Sequence, residues 1–206
     1  MKWFITDMDG TFLNDNKEVA PNARDVIVKL QDKGSKFIIA TGRPDIAIKH
    51  YYYNLGMNDV VISNNGSLIR NLTTGEIVYQ KSFNIEEVET IFNMFKELND
   101  DSIEFHVYTL NYIYCDRLSF SMARMKRIEK DMPEELKTPM YIHENIIGEI
   151  KKNNESCQKI MMIAKDHDKI EKFYKEVAKV LPVDGTFSAT DFFDIMPKGC
   201  NKGTAI

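Results

Sequence analysis

Lys2-Trp3-Phe4-Ile5-Thr6-Asp7-Met8-Asp9-Gly10-Thr11 is the stretch that decides the fold. A short apolar run gives way at once to two aspartates and a glycine, the pattern of a buried strand that stops at Asp7. Both acids then stand at the strand's carboxyl end. Carboxylates at i and i+2 reach one site only where the backbone bends between them, and Gly10 permits that bend.

Working outward, Pro21 suits a first helical turn. Ala23, Val26, Ile27 and Leu30 follow at helical spacing, and Gly34 supplies a stop. Lys36 to Ala40 reads as a second buried strand, which turns at Thr41-Gly42-Arg43 into Pro44 and a helix running to Gly56. Val60 to Ser63 is a third strand. Strand, helix, strand, helix, strand at this spacing predicts an α/β fold, a Rossmann-like parallel sheet with right-handed crossovers whose ligands bind beyond the carboxyl ends of the strands. Asp7 and Thr41 both fall on that edge. Asn64-Asn65-Gly66 comes next, then two short strands around Asn71 to Gly75 that read as a hairpin.

From about Ser82 the texture changes. A long helix carries Ile85, Val88, Ile91, Phe92 and Phe95. Strands are expected near Ile103 to Tyr108, Tyr112 to Cys115 and Gln158 to Ala164, with a helix over Ile170 to Val180. Phe192 to Met196 reads as a strand heading back to the first unit. The expected organisation is therefore a core from 1–81 and 186–206, interrupted by an inserted α+β unit over 82–185. Asn201 to Ala205 reads as the first turn of a helix.

Composition bounds the partners. The 206 residues hold 27 Lys and Arg against 31 Asp and Glu, a net charge of −4, with 43% hydrophobic residues. That hydrophobic share is ample for a core and excludes a disordered chain. Mild acidity argues against nucleic-acid binding by bulk electrostatics. No run approaches a membrane span or a signal peptide. Cys115, Cys157 and Cys200 are dispersed and odd in number, which suits free thiols and a cytoplasmic location. The expected partner is a small molecule, and the oligomeric state is open.

The paired acids suggest chemistry at phosphorus. One carboxylate can attack a phosphoryl group to form an aspartyl-phosphate, while the other gives a proton to the leaving oxygen and later takes one from water. Phosphoryl oxygens repel an attacking carboxylate, so the reaction calls for a hard divalent cation and for N–H or cationic donors. Thr41, Gly42 and Lys202 are placed to supply such donors. The remaining candidates have plainer readings. His50, His106, His143 and His167 lack metal-ligand spacing, Tyr51-Tyr52-Tyr53 should pack one ring and expose others, and Asn65 fits a turn before Gly66 as well as a substrate contact.

Taken together, Asp7-Met8-Asp9-Gly10-Thr11-Phe12-Leu13, Ile38-Ile39-Ala40-Thr41-Gly42-Arg43, Ser63-Asn64-Asn65-Gly66 and Met196-Pro197-Lys198-Gly199 through Lys202-Gly203-Thr204-Ala205 resemble the haloacid-dehalogenase-like hydrolases, more narrowly the Cof-like phosphatases with a large α/β cap. The resemblance implies Asp7 as nucleophile, Asp9 as general acid and base, Thr41 as phosphate donor and Lys202 as orienting cation. It further implies Mg²⁺ held by the Asp7 side chain and the Asp9 carbonyl, and main-chain N–H groups near Met8 and at Gly42 around the phosphate. Arg43 and Asn65 join the expected substrate contacts. The substrate class implied is a small phosphorylated metabolite, a sugar phosphate or a nucleotide-like cofactor, and the cap would close over the catalytic edge. The family's acidic fourth motif, a few tens of residues past the lysine, does not occur before Ile206, so the sequence reads as a truncation. A phosphomutase, or a silent phosphate-binding module, are the alternative readings.

Overall fold

In a computed structural model of residues 1–206, strand β1 (Trp3–Thr6) ends one residue before Asp7. Helix α1 (Ala23–Asp32) carries the chain to β2 (Lys36–Ala40), and α2 (Lys49–Asn54) carries it on to β3 (Val60–Ser63). These three strands are parallel, with Thr6 opposite Ile39 and Ala40 opposite Ile62. The hairpin β4 (Leu68–Asn71) and β5 (Ile77–Gln80) continues the sheet antiparallel, giving the order β1-β2-β3-β4-β5.

β2 shows why the central strands are apolar throughout. Phe37 and Ile39 join Met8, Ile27, Tyr52 and Val61 on one face, and Ile38 and Ala40 join Ile62 on the other. Both faces are covered, as a parallel sheet between crossovers requires. α1 turns Ala23 and Ile27 inward, and the chain leaves it through Gly34 at φ +72. The helix expected from Pro44 to Gly56 is broken. A 3₁₀ turn over Asp45–Ala47 precedes α2, and Ile48, at φ −118 and ψ 8 and so outside the helical region, separates the two. Buried Asp45 fixes the interruption, since its carboxylate accepts from Ile46 N at 2.8 Å and from Arg70 Nε at 2.6 Å.

The second unit, Lys81–Cys200, has its own sheet. Its elements are α3 (Ile85–Glu97), β6 (Glu104–Thr109), β7 (Ile113–Cys115), α4 (Phe120–Ile128), β8 (Met140–Ile142), α5 (Ile146–Lys152), β9 (Cys157–Ile163), α6 (His167–Val180), β10 (Val183–Ala189) and β11 (Phe192–Pro197), and the sheet order is β10-β11-β9-β6-β7-β8. α3 starts on a reciprocal capping box between Asn84 and Glu87. Ile91, Phe92 and Phe95 of α3, Ile150 of α5, and Ile170, Phe173 and Val177 of α6 pack with Phe105, Ile160, Met162 and Phe193.

The strand over Phe192–Pro197 corrects the expected course of the chain. β11 lies between β10 and β9, antiparallel to both, instead of returning to the first sheet. The first unit accordingly comprises Met1–Gln80 and Asn201–Ile206. Apolar alternation in β11 satisfies either sheet equally, and pairing with β9, Asp194 opposite Met161, decides it. Asn201 to Ala205 forms a turn in which Thr204 N donates to Asn201 Oδ1 at 2.9 Å, the bond by which an N-cap asparagine opens a helix. No helix is long and apolar enough to cross a membrane.

Candidate active site

Because β1, β2 and β3 are parallel, their carboxyl ends share one edge of the first sheet, and the residues that follow them meet there. Asp7 follows β1, Thr41 follows β2, and a tight turn over Asn64–Gly66 follows β3. Asn64, Asn65 and Gly66 all have positive φ, of 49, 56 and 92. This left-handed run brings Asn65 back across the strand ends, where its N–H donates to Thr41 O at 3.1 Å. A Cβ on Gly42 would stand 2.7 Å from Asn65 Oδ1, so the second loop must be glycine for the third to close on it.

Lys202 reaches Asp7 from the other end of the sequence. Its Nζ lies 2.8 Å from Asp7 Oδ1, which also accepts from Met8 N at 2.8 Å. The Met8 N–H expected among the phosphate donors is thus engaged by Asp7. Asp7 Oδ2 accepts no hydrogen bond, and the side chain is 42% exposed. The turn that presents Lys202 is seated on Gly66, whose missing Cβ leaves room for Asn201 O at 2.5 Å from where that atom would be.

Asp9 keeps separate company. Arg43 grips it with both arms, Nε to Oδ2 at 2.8 Å and Nη2 to Oδ1 at 2.7 Å, and Lys17 Nζ adds a third contact to Oδ1 at 2.9 Å. Burial pushes the Asp9 carboxyl upward, but these hydrogen bonds and positive charges outweigh it and hold the group at about 2. Arg43 N also donates to Thr41 Oγ1 at 3.1 Å, which leaves the Thr41 hydroxyl proton free to point at a ligand. Asn64 is fully buried, and neither atom of its amide meets a partner.

Asp7, Thr41, Gly42, Asn65 and Lys202 thus gather where the sequence places them, along with Asp9 and Arg43, although no hydrogen bond joins Asp7 to Asp9. Lys17 and Asn64 emerge only from the structure. A lone lysine in a polar loop has no periodicity, though the turn-rich run Asn14-Asp15-Asn16 beside it signals a built loop. For a hard cation, the Asp7 carboxylate is a suitable oxygen donor. No group of three or more His, Cys, Asp or Glu clusters as a metal site.

Comparison with known proteins agrees with this geometry. YxeH of Bacillus subtilis (strain 168) is 27% identical over 100% of this chain and 73% of its own length. The HMP-PP phosphatase of Shigella boydii serotype 4 (strain Sb227) is 24% identical over 97% of this chain and 72% of its own. A haloacid dehalogenase-like hydrolase from Bacteroides thetaiotaomicron superposes with a TM-score of 0.81 at 20% identity, covering 99% of this chain and 74% of that one. The model of the haloacid dehalogenase-like hydrolases matches residues 4–206, so the chain belongs to that family.

Proposed function

We propose that the protein is a phosphatase that hydrolyses a small phosphomonoester through an aspartyl-phosphate on Asp7. The observation that carries this reading is the 2.8 Å contact between Lys202 Nζ and Asp7 Oδ1, made by residues 195 positions apart. A lysine held there orients the carboxylate and offers positive charge to the phosphoryl oxygens. The free Asp7 Oδ2 is the oxygen that attacks phosphorus; a P–O bond to Asp7 forms as the ester P–O bond breaks.

Asp9 would give its proton to the departing oxygen in the first step and take one from water in the second. Gripped by Arg43 and Lys17 it is a carboxylate, ready for the second role. For the first it must take up a proton and turn one oxygen from that grip to the leaving oxygen. The Thr41 hydroxyl and Gly42 N–H would hold the phosphate, with Arg43 and Asn65 contributing contacts beyond it. Mg²⁺, held by the Asp7 carboxylate and the Asp9 carbonyl, would supply the charge neutralisation that lets one anion approach another. The resemblance to a named phosphatase over nearly the whole chain supports this chemistry. A small phosphorylated metabolite, such as a sugar phosphate, and a cytoplasmic setting complete the reading.

The test is Asp7→Asn, which keeps size and hydrogen bonding while removing the nucleophile. Phosphate release from p-nitrophenyl phosphate in the presence of Mg²⁺ should drop by a factor on the order of 10⁴ or more, along with acid-labile phosphorylation of the chain. Turnover within tenfold of the unaltered protein, with an unchanged circular dichroism spectrum, would reject Asp7 as nucleophile.

A further inference from the structure

Resting on the assignment of Asp9 to the leaving oxygen, we propose that Lys17 and Arg43 form an anion subsite for the leaving group. The preferred substrates of this chain are then phosphoesters whose alcohol portion carries a second negative charge, phosphoryl or carboxylate, a few bonds from the scissile oxygen.

The argument begins with distance. A residue that protonates the leaving oxygen approaches it to about 2.6–3.2 Å. Arg43 and Lys17 lie 2.7–2.9 Å from the oxygens of Asp9. Both cations therefore fall within roughly 6 Å of the leaving oxygen. Charge comes next. The two-armed grip of Arg43 already satisfies both oxygens of Asp9. Lys17 adds a second full positive charge to a single carboxylate, and one hydrogen bond occupies only one of its three donors. Asp7 and Lys202 neutralise each other, so the leaving-group side holds the surplus.

The position of Lys17 is also built. The residue sits at φ 64, a left-handed conformation disfavoured for a non-glycine residue. Several contacts hold it there. Lys17 N donates to Asn14 O at 2.9 Å and Asn14 N to Glu18 O at 3.0 Å. The Asn14 side chain brackets Glu18, and the Tyr51 hydroxyl on α2 donates to Lys17 O at 2.8 Å. An ordinary exposed ion pair stabilises a fold too little to offset that strain. A cation held in place for a ligand accounts for the arrangement.

The experiment measures kcat/KM for paired substrates that differ in the second charge: 2-phosphoglycolate against 2-hydroxyethyl phosphate, and propane-1,3-diol bisphosphate against 3-hydroxypropyl phosphate. The charged member of at least one pair should be preferred by about tenfold or more. Preference in the first pair alone identifies a carboxylate, and in the second alone a phosphoryl group. Lys17→Met should lower kcat/KM for the charged member about tenfold more than for its partner, and Lys17→Arg should restore the preference. No preference in either pair, or an equal loss for both members in Lys17→Met, would overturn the subsite. A calorimetric comparison of methylenediphosphonate with methylphosphonate reads the same subsite without turnover. Tighter binding of the diphosphonate that Lys17→Met abolishes supports it even in a chain that releases no phosphate, in which case the phosphatase reading alone has failed. Equal affinities in the unaltered protein reject the subsite directly.

Discussion

Asp7 and Asp9 stand two positions apart, yet one faces a single lysine with an oxygen to spare and the other is gripped from two sides. That difference follows from residues distant in sequence, which is why the acids were legible from the strand that precedes them, Lys202 only through the resemblance, and the grip of Arg43 and Lys17 on Asp9 not at all. His106 gives the residue scale its clearest pH test. It is 2% exposed, and its Nε2 lies 2.8 Å from Ser119 Oγ. Burial drives its pKa down from 6.5 to about 4, against the pull of Glu104 and Asp116. It is therefore neutral at pH 7, and its 3.8 Å approach to Glu104 is not an ion pair at that pH. Below pH 6.5 the unfolded imidazole binds a proton that the folded one refuses, so stability falls as pH drops toward 4 and the loss is complete below it. The full loss is on the order of 3 kcal/mol. Urea midpoints from pH 8 to pH 4 should drop more steeply for the native protein than for His106→Asn. Parallel curves would show that the site admits the imidazolium.

At the scale of elements, the turn after β3 does more than reverse the chain. Gly66 at φ +92 has no room for a side chain, since a Cβ would meet Asn201 O at 2.5 Å and the Ala205 Cβ at 3.0 Å. Gly66→Ala should therefore destabilise the fold by about 1–3 kcal/mol and push the Asn201–Ala205 turn outward, taking Lys202 off Asp7. Phosphate release should fall more than tenfold at a temperature where the variant remains folded. Retained activity with an unchanged melting temperature would show that the two segments adjust independently. Asn-Asn-Gly announced a turn in the sequence, but the close approach of Asn201 joins segments more than a hundred residues apart and has no local signal. The same limit explains the misplaced end of the insertion. β11 was readable as a strand and β10 was not, and the place of β11 was set by register against β9. Hydrophobic alternation records which face is buried, not which neighbour covers it.

The whole chain divides into two units, each with its own sheet and hydrophobic core. In the second, the ends lie together. Lys81 Nζ donates to Lys198 O at 2.5 Å, and Phe83 N donates to Cys157 O at 2.8 Å. An insertion whose ends meet leaves its host with a short gap to span and keeps its own contacts local to itself. Its core also closes internally: Phe105 is 1% exposed and stacks on Phe95 with ring centroids 4.6 Å apart. Residues 81–200 produced alone should therefore fold, giving near-ultraviolet circular dichroism and a single cooperative urea transition. Phe105→Ala should lower the stability of that unit by about 3–5 kcal/mol, through the lost burial and the cavity left behind. The same loss should appear in the transition assigned to this unit within the full chain, because no residue of the first sheet supports Phe105 in the cluster described. A fragment without fixed aromatic signals, or a substitution far costlier in the fragment than in the full chain, would mean that the second core depends on the first.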